Sequence, residues 1–153
     1  MKRTGKIWAL LLLTGVIFSF APATTGWKVG SDYNISFSAT GVSGIFKTFS
    51  GTIDFDPANL STSKFAMTIN VASINTGNAM QNKHAKSADW FDAEKYPDIK
   101  FASSSFQKTS SGYSVKGKLT IKNVTKEETI PFTFTKSGSK GKFVAKFSVN
   151  RID

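Results

Sequence analysis

Few residues in this chain are equipped for chemistry. It has 20 basic and 10 acidic residues, one histidine and no cysteine. The lack of cysteine rules out a thiol nucleophile, disulfides and thiolate metal sites. A lone His84 rules out a multi-histidine metal centre within one chain. His84 precedes Asp89 and Asp92, and such a pairing would suit a general base and the carboxylate that orients it. No serine or cysteine nucleophile pattern accompanies them, so a catalytic constellation is incomplete. No cofactor or metal is implied.

A different use of the same segment is binding. Asn78 fits an N-cap, and the helix it would open offers free backbone N–H groups and the positive end of a dipole. Lys83, His84 and Lys86 follow within two turns, a setting suited to an anionic group such as a pyrophosphate. Trp90 and Phe91 come next and are placed to act as an apolar lid. The plain alternative is that Asn78 only caps, His84 only anchors, and the lysines are solvated.

The elements that would carry these residues are strands. Residues 1–23 form a leader: Lys2, Arg3 and Lys6, then an apolar stretch from Ile7 to Phe20, then Ala21-Pro22-Ala23. The stretch is shorter than the ~20 apolar residues a spanning helix needs. Cleavage after Ala23 and export to a periplasm or the medium are expected, which argues against nucleic acid as a partner and against stable membrane insertion. Residues 24–153 then make one domain, with 17 basic against 10 acidic residues and a net charge of +7. The lysines are dispersed, as on a solvated surface.

Beyond the leader the apolar residues recur every second position. Tyr33, Ile35, Phe37 and Ala39 form one run, and Ile45, Phe49, Ile53 and Phe55 share a parity in a second. Phe65 to Val71, Ile99 to Ser103, Tyr113 to Ile121, Ile130 to Phe134 and Phe143 to Val149 follow, giving seven strand candidates. Pro131 marks an edge position or a bulge. Between the third and fourth runs, Asn75 to Pro97 loses the alternation and holds helix formers, with Gln81 placed as reciprocal capping-box partner of Asn78. The class is all-β: an antiparallel sandwich or barrel with a short helical insertion. Alternation does not tell a core filled by side chains from a lumen that holds a ligand.

Several segments resemble the YceI-like family. They are Gly51-Thr52-Ile53-Asp54-Phe55-Asp56-Pro57, Ala72 to Asn78, His84, Ser87-Ala88-Asp89-Trp90-Phe91-Asp92, Tyr96 to Phe101, and Gly117-Lys118-Leu119-Thr120-Ile121 with Val124-Thr125-Lys126. The resemblance implies a lipocalin-like antiparallel barrel of eight strands. It also implies non-catalytic transport or storage of a polyisoprenoid or another long-chain, fatty-acid-like amphiphile. Gln81-Asn82 stands where the family usually has Arg-Asp, so a head-group contact by that arginine does not carry over. Val149 to Asp153 is similar to an "N-R-x-D-aromatic-Gly" motif that the chain leaves unfinished, and a missing last strand is expected. With this fold, Ile35, Phe37, Phe49, Ile53, Met67, Ile69, Ile99, Phe101, Leu119, Ile121, Phe132 and Phe134 are expected to line one elongated cavity. Asn78, His84, Trp90 and Phe91 would form its mouth. An enzyme using His84 on a lipid or small apolar substrate, and a ligand-free structural or interaction barrel, stay open as alternatives. A homodimer is compatible with either.

Overall fold

The computed structural model describes residues 26–39 and 41–149. The expected leader and the unfinished C-terminal motif from Asn150 onward lie outside these residues. Ten strands are present: β1 (Gly26–Trp27), β2 (Ile35–Ala39), β3 (Val42–Phe46), β4 (Phe49–Asp54), β5 (Lys64–Asn70), β6 (Ile74–Asn75), β7 (Asp98–Thr109), β8 (Gly112–Ile121), β9 (Val124–Ser137) and β10 (Lys140–Ala145). One helix, α1 (Ala79–Lys86), lies between β6 and β7. An antiparallel seven-stranded sheet runs β1-β4-β5-β7-β8-β9-β10, and β2-β3-β6 make a smaller one. The large sheet curls into a nearly closed barrel, with Trp27 of β1 reaching the rings of Phe134 (5.4 Å) on β9 and Phe143 (6.2 Å) on β10.

The cross-strand register joins the apolar parities of successive strands. Phe49 faces Ile69 and Ile69 faces Ile99; Met67 faces Phe101 and Phe101 faces Leu119; Val115 faces Ile130. Directly opposed residues share a face, so these positions make one continuous concave surface. At one end it is filled by rings. Phe55, 1% exposed, has Phe65, Phe106, Tyr113, Phe132, Phe134 and Phe143 at centroid distances between 5.1 and 6.1 Å. Such separations suit edge-to-face packing of aromatic quadrupoles.

Four expected strands differ from the observed ones, among them the run from Ile130 to Phe134, which extends to Val124 on one side and Ser137 on the other as β9. The run from Ile45 to Phe55 is two strands, and their parities are opposite: Phe46 is buried and Ile45 exposed in β3, while Phe49 and Ile53 face inward in β4. The break falls at Lys47-Thr48, held by Lys47 N–H to Ser73 carbonyl (3.2 Å) and Thr48 N–H to Ser73 Oγ (3.0 Å). The run expected to stop at Ser103 continues to Thr109, because a bulge between Ser103 and Ser105 resets the parity and turns Phe106 inward. Serine hydroxyls serve the disrupted ladder: Ser103 Oγ accepts from Phe65 N–H at 2.8 Å, and Ser104 Oγ donates to Lys116 carbonyl at 3.0 Å. The fourth difference is at the C-terminal side, where β10 ends at Ala145 and leaves Phe147 and Val149 outside the strand and exposed.

Pro131 sits within β9, opposite Ser114 of β8. The ladder with β10 ends one position away, at Phe132–Ala145, so Pro131 has a strand on one flank only, as an edge proline requires. Gly117 is required by a close approach: a Cβ there would lie 2.4 Å from Ala102 carbonyl oxygen and 2.6 Å from the Phe101 ring.

Candidate functional site

Above the aromatic cluster the barrel is not filled. A cavity of about 2350 Å³ is bounded by the concave face, the small sheet and the insertion. Phe49 and Ile53 of β4, Met67 and Ile69 of β5, and Ile99 and Phe101 of β7 contribute to its wall. Leu119 and Ile121 of β8 and Phe132 of β9 continue it, and Ile35 and Phe37 of β2 face it from the small sheet. Among these, Ile99, Phe101, Leu119 and Phe132 are buried and the others are half-buried. Phe134 does not line the cavity. It packs into the ring cluster against Phe55 (5.1 Å), Phe143 (4.7 Å) and Trp27, on the filled side.

The insertion covers one side of the cavity. Asn78 caps α1 as expected, its Oδ1 accepting from Gln81 N–H at 3.0 Å. The reciprocal half of the box is replaced: Asn78 N–H donates to Thr76 Oγ1 at 3.3 Å. Asn78, Lys83 and Lys86 are absent from the cavity lining, whereas Met80, Gln81, His84 and Ala85 belong to it. The free N-terminal N–H groups and the two lysines are thus not gathered with His84 at the cavity.

His84, Trp90 and Phe91 all line the cavity. Trp90 Nε1–H donates to His84 Nε2 at 2.6 Å, which makes Nε2 the acceptor and leaves Nδ1 to carry the ring proton. Neither Asp89 nor Asp92 hydrogen-bonds His84 among the described residues, and the base–orienter pair does not form. Phe91 instead packs its edge against Phe46 (6.0 Å), while its N–H donates to Ala85 carbonyl at 3.1 Å. Lys122, in the two-residue β8–β9 turn, donates from Nζ to Ala88 carbonyl at 3.0 Å and ties the insertion to that hairpin. No cluster of three or more metal-ligating side chains occurs among the described residues.

The cavity also has lining residues outside the expected set. Phe46 sits on the parity that was assigned to the outside, Ile130 and Val115 lie on recognised runs, and Phe143 joins from β10. Lys126 and Glu128 also line the cavity, from a stretch of β9 whose polar composition hides it as a strand. The signal that would have found them is position: both lie at even spacing before Ile130.

Comparison with known proteins accords with this geometry. A family model described as YceI-like domain matches residues 25–153. UPF0312 protein plu2095 of Photorhabdus laumondii is 43% identical over 83 residues, 54% of this chain and only 43% of that protein, so the match spans under half of that relative's length. Protein YceI of Escherichia coli O157:H7 is 34% identical over 132 residues, 77% of this chain and 69% of that one. Among solved structures, Burkholderia cenocepacia BcnA superposes with a TM-score of 0.66 at 37% identity, covering 73% of this chain and 72% of that one. The Campylobacter jejuni YceI protein gives 0.57 at 30% identity, covering 85% and 69%.

Proposed function

The chain belongs to the YceI-like family, and from that premise we propose that it is an exported, non-catalytic carrier or store of a long-chain amphiphile, such as a polyisoprenoid or a fatty-acid-like lipid. The observation that supports this most is the unfilled cavity of about 2350 Å³ behind a largely apolar wall. Ordinary small-molecule sites occupy ~300–1,000 Å³, so an occupant that fills this one is long. Each buried methylene contributes about 0.8 kcal/mol, which over a long tail supplies affinity without any polar contact. The periplasm or the medium is the compartment proposed, on the basic, apolar and small-residue succession of residues 1–23.

The experiment is mass spectrometry of solvent extracts from the purified protein, with the Ile69→Trp variant alongside. Ile69 is half-buried in the wall between Phe49 and Ile99, so an indole there occupies the lumen. A defined amphiphile in the parent and its loss from a folded Ile69→Trp protein are expected. Equal occupancy in both would place any ligand outside the lumen.

A further inference from the structure

The concave face of the large sheet has one discontinuity. Its positions on β4, β5, β7 and β8 are apolar or small, but β9 places Lys126 opposite Leu119 and Glu128 opposite Gly117 before it returns to Ile130 and Phe132. Both charged residues line the cavity from inward-facing positions, whereas its other charged lining residues, five lysines and two aspartates, lie off the inward-facing strand positions. Lys126 is exposed and already engaged, whereas Glu128 is half-buried and makes no hydrogen bond or ion pair among the described residues. Its neighbour Glu127, on the convex face, pairs with Lys116 at 2.8 Å, so the sequence holds one glutamate with a partner and one turned into the cavity without one. Glu128 is four residues along the strand from Val124 at the turn, which puts it about 13 Å down the wall.

An empty cavity lets water solvate that carboxylate. A long occupant displaces the water, and a hydrocarbon segment set against Glu128 leaves a charge unpaired, which is costly. We infer that Glu128 selects the occupant: it receives a hydrogen-bond-donating group, a hydroxyl or an ammonium, and disfavours chains headed by carboxylate or phosphate. This rests on the reading of the cavity as an amphiphile site. It also departs from the anionic head that Lys83 and Lys86 suggested, since neither lysine reaches the cavity.

The test is displacement of a bound apolar fluorescent dye by three chains of equal length: octadecylamine, octadecanol and octadecanoic acid. On the parent protein the amine and the alcohol should compete at concentrations lower than the acid by about tenfold or more. Glu128→Gln, which keeps an acceptor but loses the charge, should narrow the amine's advantage and keep the alcohol's. Glu128→Lys should reverse the order of amine and acid. Parity of acid and amine on the parent, or an amine advantage over the acid that is undiminished in Glu128→Gln, overturns the inference while leaving the cavity reading intact. An unchanged order with new self-association in Glu128→Gln would assign the residue to protection of a strand edge instead. A protein that takes up neither the dye nor any of the three chains removes the cavity reading, and this inference with it.

Discussion

His84 shows how a residue's type and its use part company. The imidazole is the chain's one side chain of its kind, yet its Nε2 is occupied by the Trp90 indole N–H, and no carboxylate among the described residues orients it. Replacement by phenylalanine keeps a ring against Trp90 and removes the acceptor. His84→Phe is expected to cost about 1 kcal/mol, the ordinary net value of one hydrogen bond, and to speed amide exchange from Ser87 to Ala93. Exchange unchanged in that segment would show that the bond does not hold the insertion. That both residues share one insertion was legible in the sequence, but their bond was not. The direction of Trp90 depends on the tight backbone turns after α1, among them Asp92 N–H to Ser87 carbonyl (2.8 Å) and Tyr96 N–H to Asp92 carbonyl (2.8 Å). Asp92 itself adopts a φ of 50°, which no periodicity announces.

At the scale of elements, alternation identified strands well wherever the phase stayed constant. It failed where the phase slipped by one residue: at Lys47-Thr48, which hid Phe46, and at the Ser103–Ser105 bulge, which hid Phe106. It also failed on the first half of β9, where Lys126 and Glu128 occupy inward positions and erase the apolar signal. The β8–β9 turn makes a separate prediction. Lys122 has a φ of 54°, a left-handed conformation that costs an L residue about 1 kcal/mol, and its ammonium also holds Ala88. Lys122→Gly should therefore relieve the turn while freeing the insertion. The expected result is a melting temperature equal to or above the parent's, with faster proteolysis between Ser87 and Ala93. A lower melting temperature together with faster proteolysis would mean that the Nζ contact outweighs the backbone term, and unchanged proteolysis would mean that it does not hold the insertion.

For the molecule as a whole, closure depends on one side chain more than on any ladder. Trp27 joins the two edges of the large sheet: it packs on Phe134 and Phe143, donates from Nε1 to Phe55 carbonyl at 3.1 Å, and lies 6.0 Å under the Lys136 ammonium. A Cβ at Gly141 would come within 2.9 Å of its ring, so the glycine is what lets the indole sit across the seam. Because Trp27 is half-buried, Trp27→Ala should cost about 2–3 kcal/mol, below the ~3–5 of a fully enclosed aromatic. Chemical denaturation would measure it, and a loss under about 0.5 kcal/mol, the scatter of surface substitutions, would show that the seam holds without it.

The ring cluster around Phe55 has a consequence for how such a barrel diversifies. Phe55, Phe106, Tyr113 and Phe134 belong to the cluster alone, while Phe65, Phe132 and Phe143 belong both to it and to the cavity wall. The Ser103–Ser105 bulge marks the border on β7, with Phe101 on the hollow side and Phe106 on the solid one. Selection can then work on the two regions under separate constraints. Substitutions confined to the hollow half change the shape of the space with little penalty in foldedness, and substitutions in the solid half or at the three shared rings are purged. Descendants of one such ancestor would share their aromatic floor and differ in their walls.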